Sequence, residues 1–351
     1  MKNLFIPILL FLIAFYYTSC SSGSNKQKYE SITFIEDSQG KKIDVLVEGE
    51  LFTSYQWPDN VCKPILYPII NTNGTTITRG FPIEPRVGER VDHPHQIGMW
   101  FTYGNVNGYD FWGNGSKGLG TKNEKGGVIK HKNSQISEKR NEGVLTTLEV
   151  WQAPTGEELL NEQTEFHFLA TNDIRIIDRI TTLTAIKDVS MADTKEGMFG
   201  IRAARELEFP SEGKITFYSA DGTPTTVEAA SNEGITGNYL SSEGVTGVEV
   251  WGTRARWMSL YGNIKNDNIS LVICDHPKNI NYPTYWHARG YGLFAANPLG
   301  VKDFTNGKDS LNFSIPKGQS ETFRYRVIIS SGRHLSDDEI TKFADDFAGK
   351  Y

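Results

Sequence analysis

After its first twenty residues the sequence contains no long apolar run, and it has no excess of positive charge. A membrane-spanning helix needs about 20 consecutive apolar residues, and a nucleic-acid-binding protein needs a dense basic surface to neutralise phosphates. The formal net charge here is −6. These absences argue against a membrane-embedded protein and against a nucleic-acid partner, but they are compatible with a local cationic pocket for an acidic substrate.

Cysteine is scarce, with three residues in 351. Neither Cys62 nor Cys274 has Cys or His neighbours at the spacing of a zinc site. In an oxidising compartment these two residues would form one disulfide if the fold brought them together. Two buried thiols are the alternative, and the sequence leaves both open.

The N-terminus has the pattern of a bacterial lipoprotein signal. Lys2 precedes an apolar run from Leu4 to Tyr17, and small residues come directly before Cys20. We therefore expect residues 1–19 to be removed as a signal peptide, Cys20 to be lipidated, and residues 20–30 to form a polar tether. The protein would then face the periplasm or lie at the outer membrane, and its only membrane contact would be the lipid. An ordinary secretory signal or a single anchoring helix is the alternative.

Several common catalytic signatures are also missing. There is no Gly-x-Ser-x-Gly nucleophile elbow and no phosphate-binding Gly-x-x-x-x-Gly-Lys-Ser/Thr loop. Paired carboxylates for glycoside hydrolysis remain open, because five acidic residues lie near the polar segments described below: Glu89, Asp92, Asp110, Glu196 and Asp275.

What the sequence does contain is a series of short strand-like segments. Val144–Gln152, Leu159–Leu169 and Ile174–Leu183 alternate apolar and polar residues, as half-buried antiparallel strands do. One helix is predicted, at the C-terminus, where Ser336 and Glu339 have the spacing of a capping box. The predicted fold class is all-β: residues 31–351 form one large antiparallel β-sandwich domain with a short C-terminal helix.

Two segments concentrate the residues that could carry chemistry. Residues 89–112 and 275–298 each contain an Asp-His-Pro tripeptide, and together they hold four of the seven histidines: His93, His95, His276 and His287. Glycines, aromatics and cations surround these histidines, a mixture that a core strand does not need. The pattern predicts that both segments line one polar pocket with aromatic walls.

The spacing of His93 and His95 permits more than one role. In extended backbone both imidazoles would project from the same face, and a metal shell could be completed by His276, His287 or an aspartate. A substrate-binding or acid–base role is the second interpretation. Alternatively, Pro94 breaks the strand and the imidazoles bond to backbone.

Charged and aromatic residues near the histidines suit an acidic sugar. Arginine grips a carboxylate through a bidentate fork and lysine supplies a point charge, and the candidates are Arg90, Arg202, Lys278 and Arg289. Aromatic rings can stack on sugar faces while amides bond to sugar hydroxyls; the candidates are Trp100, Trp112, Trp286, Tyr291, Gln96, Asn105, Asn279 and Asn297. The alternatives are surface ion pairs for the cations and core packing for the aromatics.

These motifs, in this order, resemble an uncharacterised bacterial family whose members are often labelled methane oxygenase PmoA-like. The resemblance covers roughly residues 60–330 and rests on Asp92-His93-Pro94-His95 with Trp100, the 104–112 run, Lys195-Glu196-Gly197 with Arg202, Asp275-His276-Pro277 with Asn279, Trp286-His287-Ala288-Arg289 with Tyr291-Gly292, and Asn297-Pro298. It implies an exported supersandwich similar to galactose mutarotase-like proteins, in polysaccharide-degrading bacteria. The oxygenase label itself does not suit a chain without membrane spans. A further histidine usually follows His-Pro-His in this family, and Gln96 in its place weakens the case for a metal.

The predicted function is a carbohydrate-active enzyme that eliminates water or an alcohol from acidic, uronic-acid-containing oligosaccharides. The predicted catalytic residues are His93, His95, His276, His287, Arg289 and Tyr291. The predicted substrate-binding residues are Arg90, Gln96, Trp100, Asn105, Glu196, Arg202, Lys278, Asn279, Trp286 and Asn297. No cofactor is predicted, with a divalent metal as the alternative. A glycoside hydrolase, a mutarotase-type sugar epimerase and a non-catalytic glycan-binding lipoprotein are the rival functions.

Overall fold

A computed structural model of the chain describes residue 1 and residues 29–114, 123–139 and 141–351. The predicted signal peptide, apart from Met1, and the lipidation site Cys20 therefore lie outside the described residues. Only the last two residues of the predicted tether, Tyr29 and Glu30, fall inside them.

Strands dominate the described part of the chain. In chain order they are β1 (Ile32–Asp37), β2 (Lys42–Val47), β3 (Glu50–Gln56), β4 (Ile65–Ile69), β5 (Met99–Tyr103), β6 (Val128–Lys139), β7 (Glu142–Gln152), β8 (Glu158–Ala170), β9 (Ile174–Ala185), β10 (Val189–Met191), β11 (Gly197–Arg202), β12 (Ile215–Tyr218), β13 (Pro224–Val227), β14 (Asn238–Ser241), β15 (Trp257–Ile264), β16 (Asp267–Asp275), β17 (Tyr285–Ala288), β18 (Leu293–Asn297), β19 (Phe313–Ile315) and β20 (Ser320–Ser330). The helices are α1 (Val301–Phe304) and α2 (Asp337–Lys350), with 3-10 turns at Arg205–Leu207 and Gly247–Val250.

Sixteen of these strands form two eight-stranded sheets. Sheet A has the order β1-β2-β3-β4-β5-β11-β18-β17, and sheet B has the order β14-β15-β16-β20-β9-β8-β7-β6. Neighbouring strands within both sheets pair antiparallel, as in β5 with β11 and β16 with β20. The predicted all-β antiparallel sandwich is confirmed.

Alternation along the strands explains why the sheets face each other. In β8, every even-numbered residue from Leu160 to Ala170 is buried, whereas Asn161 and Gln163 are exposed. Buried side chains from both sheets, such as Phe101 of β5 and Phe323 of β20, belong to one large apolar cluster. Burial of this apolar surface is the main favourable term in folding.

Helix α2 covers the outer face of sheet B. The Ser336 hydroxyl accepts a hydrogen bond from the Glu339 amide, and the Glu339 carboxylate accepts one from the Ser336 amide, so the predicted capping box is confirmed. Ile340 and Phe347 pack against a separate apolar cluster that includes Trp257 and Cys274. Cys274 is a free thiol there, so no disulfide joins it to Cys62. None of the helices in the described ranges has the length and apolarity needed to cross a bilayer.

The outer face of sheet A carries a third apolar cluster and supports the candidate site. Met99 and Phe101 of β5 point into the sandwich, whereas Trp100 between them belongs to the outer cluster. Trp112 packs on Trp100 with ring centroids 5.3 Å apart. Leu293 and Ala295 of β18 complete the floor of this face.

Candidate functional site

A cavity of about 850 Å³ lies over this outer face of sheet A. Four stretches of chain that are distant in sequence form its walls: residues 93–96, residues 104–114 with Asn123, Lys195 with Glu196, and residues 287–291. Strand pairing brings them together, because β11 pairs with β5 on one side and with β18 on the other, and β17 pairs with β18. Seven predicted site residues line the cavity: His93, His95, Gln96, Glu196, His287, Arg289 and Tyr291.

A buried arginine fixes the segment that carries the first two histidines. The Arg79 guanidinium donates to the Asp92 carboxylate at 2.5 Å and to the carbonyl oxygens of Asp92, His93 and Gln96 at 3.0–3.1 Å. This arrangement holds residues 92–96 in one conformation, with His93 in the left-handed region at φ 40°. The sequence analysis missed Arg79, which lies outside both histidine segments.

Arg202 belongs to the same network and is not available to a ligand. Its Nη2 lies 2.7 Å from the Asp92 Oδ1, and its Nη1 donates to the Gln96 Oε1 at 2.5 Å. Burial alone would raise the pKa of Asp92. The hydrogen bond from His93 and the charges of Arg202 and Arg79 outweigh burial and hold this pKa well below its usual range. Arg202 therefore positions Asp92 and Gln96, and with them the segment that carries His93 and His95.

His93 and Tyr291 form an aromatic platform in the cavity. Their rings are stacked, with centroids 4.9 Å apart and planes 7° apart. The Arg202 guanidinium lies 4.8 Å from the centroid of the Tyr291 ring. The His93 side chain is 40% exposed, so it is accessible to a ligand. We call this pair the His93–Tyr291 platform.

His95 and His287 are held neutral. Burial, followed by the charge of Lys63, lowers the pKa of His95 to about 2. Burial, followed by the charges of Arg289 and Lys195, lowers the pKa of His287 to about 3. Each neutral imidazole presents one N–H donor and one lone pair. Cations are the further causes of both shifts, so both rings lie near positive charge: Lys63 acts on His95, and Arg289 and Lys195 act on His287.

Arg289 is a cation of the cavity that has no anionic partner among the described residues. Its guanidinium lies 4.6 Å from the centroid of the Trp251 ring, and it forms no ion pair with any described residue. Lys195, in contrast, pairs with the carboxylate of Glu196. A ligand with a carboxylate would supply the anion that Arg289 lacks.

The two carboxylates that line the cavity have different environments. Asp110 accepts hydrogen bonds from the amides of Trp112 and Gly113 at 2.8 and 3.0 Å and from the side chain of Asn123 at 2.7 Å. Asp110 therefore organises its own loop. The Glu196 carboxylate bonds to the neighbouring Lys195 side chain and to no other described residue, and it remains partly exposed.

Lys63 is a buried cation behind the cavity wall. Its Nζ donates to the carbonyl oxygen of Trp112 at 2.7 Å and lies 5.6 Å from the Trp100 ring centroid. Burial lowers its pKa to about 7, against the opposing effect of Asp110. Nothing in the sequence around Lys63 indicated this position, because a lysine between apolar residues is usually exposed.

The second Asp-His-Pro tripeptide does not reach the cavity. It begins at Asp275, the last residue of β16 in sheet B. Of the segment 275–298, which was predicted to share one pocket with residues 89–112, the part 287–291 lines the cavity, whereas His276, Lys278 and Asn279 do not. The His276 ring packs on Phe347 of α2 at 5.0 Å, and the Lys278 Nζ donates to the Tyr351 carbonyl oxygen at 2.6 Å. The Asn279 Nδ2 donates to Asp275 at 2.7 Å. These residues therefore make structural contacts near helix α2, away from the cavity.

Five other predicted binding residues have structural contacts. Arg90 forms an ion pair with buried Glu208 at 2.6 Å, and the Asn105 side chain accepts a hydrogen bond from the Gly108 amide at 3.1 Å. Trp100 and Trp286 are fully buried. The Asn297 Nδ2 donates to the carbonyl oxygens of residues 194 and 195 at 2.9 and 3.1 Å. Asn297 thus positions the Lys195–Glu196 wall without lining the cavity.

The residues that were considered as metal ligands do not converge. Within residues 29–114, 123–139 and 141–351, no group of three or more His, Cys, Asp or Glu side chains is placed to hold a metal ion. His93 and His95 are neighbours, with ring centroids 5.7 Å apart. His276 directly follows β16 of the other sheet and packs on α2, so it cannot complete their shell.

Fold and site together define an antiparallel β-sandwich protein with a cation-rich, aromatic-walled cavity on one outer face. Residues 42–345 match the model of DUF6807, a family of unknown function, and the chain belongs to this family. No curated protein sequence matches the chain.

Solved structures similar to this chain include enzymes that act on sugars. The GH36 α-galactosidase AgaB from Geobacillus stearothermophilus is 10% identical, with a TM-score of 0.38 over 85% of this chain and 41% of that one. The chain thus spans about two fifths of that enzyme's length. Galactose 1-epimerase from Lactobacillus acidophilus NCFM is 8% identical, with a TM-score of 0.34 over 88% and 100% of the two chains. A putative aldose 1-epimerase from Escherichia coli K12 is 11% identical, with a TM-score of 0.29 over 85% and 98%.

Proposed function

We propose that this protein is a carbohydrate-active enzyme that performs acid–base chemistry on an acidic sugar in the cavity over sheet A. The observation that carries the proposal is the Arg289 guanidinium, which has no anionic partner among the described residues and lines the same cavity as three imidazoles and the Tyr291 hydroxyl. A uronic acid would place its carboxylate on Arg289 and one ring face on the His93–Tyr291 platform.

The proposed reaction is elimination. A base removes the proton on the carbon alpha to the substrate carboxylate, and the electron pair forms a C=C bond as the C–O bond beta to the carboxylate breaks. The departing oxygen takes a proton from an acid. Arg289 stabilises the charge that develops on the carboxylate, and His95, His287 and Tyr291 are the candidates for the proton transfers.

Substrate binding would also prepare the histidines for this chemistry. In the unliganded protein, burial and neighbouring cations keep the pKa of His95 at about 2 and that of His287 at about 3. A bound carboxylate adds negative charge beside the cations and raises both pKa values toward the range in which imidazole is an effective base. The site is therefore matched to an anionic ligand and poorly matched to a neutral one.

Glu196 supports a second candidate, a mutarotase-type epimerase or a hydrolase. This carboxylate lines the same cavity as His287 and is partly exposed. A carboxylate and a histidine can take and give protons at a sugar hydroxyl and a ring or glycosidic oxygen. In this case Glu196 would be essential, whereas in the elimination it would serve only to bind substrate.

Product analysis separates these functions. The full protein is incubated with oligosaccharides of galacturonate, glucuronate and alginate and with their neutral counterparts, and products are followed by mass and by ultraviolet absorbance of an unsaturated uronate. Elimination produces an unsaturated uronate that absorbs in the ultraviolet. If the enzyme is a dehydratase, the product is also lighter than the substrate by one water. Hydrolysis gives a gain of water without absorbance, and epimerisation changes optical rotation at constant mass. Binding without any change of substrate would overturn the enzymatic proposal in favour of a glycan-binding lipoprotein.

A further inference from the structure

A second cavity, of about 520 Å³, adjoins the first. It lies where the end of β3 meets the start of β6 and the β7–β8 turn, and both cavities open to solvent. Among its lining residues, Trp57 and His131 form a stacked pair with ring centroids 4.1 Å apart and planes 28° apart. We call this cavity the Trp57 cleft.

The Trp57–His131 pair is held in place from the core. The His131 Nδ1 lies 3.0 Å from the Tyr55 hydroxyl, which donates to the buried Glu149 carboxyl at 2.6 Å. The Tyr55 ring also packs on Trp57, with centroids 5.4 Å apart. A preformed aromatic surface of this kind loses little conformational entropy when a ligand stacks on it.

Lys130 supplies a charge at the cleft that has no partner among the described residues. Its side chain is exposed, and it forms no ion pair or hydrogen bond with any of them, whereas Lys41 at the same cleft pairs with Asp59. The first cavity has the same two components, the stacked His93–Tyr291 platform and Arg289, which has no ion-pair partner among the described residues. Each cavity therefore offers an aromatic platform and one available cation.

The two cavities share a wall. Cys62 and Lys63 line the Trp57 cleft, and Trp112 and Asn114 line the first cavity. The Lys63 Nζ donates to the Trp112 carbonyl oxygen at 2.7 Å, and the Cys62 thiol donates to the carbonyl oxygen of Asn114. Two hydrogen bonds thus join residues that line the Trp57 cleft to residues that line the first cavity.

We propose that the Trp57 cleft binds a further uronic-acid unit of the oligosaccharide whose reacting unit occupies the first cavity. The sugar ring stacks on Trp57, and its carboxylate pairs with Lys130. The inference rests on the proposed function, because it takes an acidic oligosaccharide as the ligand. It adds a prediction about length: longer acidic chains bind better than single sugars, and the gain depends on Trp57 and Lys130.

The test is calorimetric binding of galacturonate, glucuronate and alginate oligosaccharides, from single sugars to long chains, to the full protein and to Trp57→Ala and Lys130→Ala. Trp57→Ala is expected to bind long chains about three- to ten-fold more weakly, the loss typical of one aromatic contact. Lys130→Ala is expected to bind them about two- to five-fold more weakly, the loss typical of one exposed ion pair. Both variants should bind the single sugars as the wild type does. Trp57→Phe keeps a stacking ring and should recover most of the affinity. Lys132→Ala, an exposed lysine on the same strand that pairs with Glu158, is the control for Lys130.

The outcomes distinguish this inference from the proposed function. Turnover of acidic sugars with no gain of affinity from chain length, or with Trp57→Ala and Lys130→Ala both equal to the wild type, overturns the cleft proposal alone. Length-dependent binding through Trp57 and Lys130 without turnover of any chain overturns the enzymatic proposal alone. Absence of both binding and turnover across all three acidic series overturns both. Lys130 is exposed, so Lys130→Ala is expected to fold. Its binding data therefore test the proposal even if Trp57→Ala does not fold.

Discussion

The Arg289 guanidinium lies over the indole ring of Trp251, with its central carbon 4.6 Å from the ring centroid. Cation–π contact holds the side chain in position without neutralising its charge. A carboxylate partner from the protein would have fixed Arg289 equally well but would have occupied its donors. The indole therefore leaves the guanidinium oriented and available for an anionic ligand.

Replacing Arg289 tests this arrangement. Arg289→Ala should lower kcat/KM on an acidic oligosaccharide by about a hundred- to thousand-fold, since groups that stabilise developing charge contribute on that scale. Arg289→Lys keeps the charge but loses the bidentate fork, so it should fall between the wild type and the alanine variant. Steady-state kinetics on matched acidic and neutral oligosaccharides provide the measurement. Equal losses on both substrates would contradict a role in carboxylate recognition.

The histidines divide into cavity and non-cavity residues, and their variants should divide in the same way. His95→Ala and His287→Ala should each reduce turnover by about 10²–10⁴-fold through lost proton transfer. His276→Ala should leave turnover nearly unchanged, because His276 packs on Phe347 of α2. Thermal unfolding of all three variants controls for stability. Full activity in both cavity variants would show that proton transfer is assigned to the wrong residues.

A polar cluster inside the sandwich makes stability depend on pH. Glu149 and Glu162 are both buried, and Arg179 forms an ion pair with Glu162 at 2.7 Å. One arginine cannot balance two carboxylates. Burial, and then the charge of Glu162, therefore raises the pKa of Glu149 from 4.5 to about 8.

The sign of the effect follows from proton binding. Between about pH 4.5 and pH 8 the folded protein keeps a proton on Glu149 that the unfolded chain releases, so the free energy of unfolding falls as the pH rises through this window. Glu149→Gln cannot ionise, and its Tm relative to the wild type should increase from pH 5 to pH 8. Exposed Glu158→Gln is the matched control and should show no such trend. A constant Tm difference between Glu149→Gln and the wild type would rule out the proposed ionisation.

Membrane attachment is tested through Cys20. Cys20→Ser should move the protein from the membrane fraction to the soluble fraction. The serine cannot carry the lipid chains that would hold the protein at the membrane. Mass spectrometry of the mature protein should place its modified N-terminus at residue 20, and Ser24→Ala should behave as the wild type. Unchanged fractionation of Cys20→Ser would falsify the lipoprotein prediction.

Periodicity was sufficient to predict the fold class. Alternation in segments such as Leu159–Leu169 reflects a strand with one face in the core, and the Ser336 and Glu339 pair reflects local helix-cap geometry. Both signals depend on neighbours in sequence. The alternation agrees with the folded structure because the sandwich needs an apolar inner face on every long strand.

The site was predictable only in part, because sequence patterns do not say which sheet a strand joins. Of the two identical Asp-His-Pro tripeptides, one precedes β5 of sheet A and the other begins at the last residue of β16 in sheet B. Residue type alone indicates that Arg202 is an available cation, but in the folded protein it bonds to Asp92 and Gln96. Lys195 and Asn123 reach the cavity from loops, and neither was predicted as a site residue. Tertiary partners, rather than residue type, decide which polar groups remain available.

The pairing of β5, β11 and β18 also bears on how the protein acquires its cavity during folding. Gly197 of β11 pairs with Tyr103 of β5, and Ile201 of β11 pairs with Phe294 of β18, so each contact closes a long loop of chain. Such non-local strand pairs form slowly, since the loop-closure entropy is lost before the contacts compensate for it. In a refolding experiment, ligand affinity should therefore return in the slowest phase, after most secondary structure has already formed.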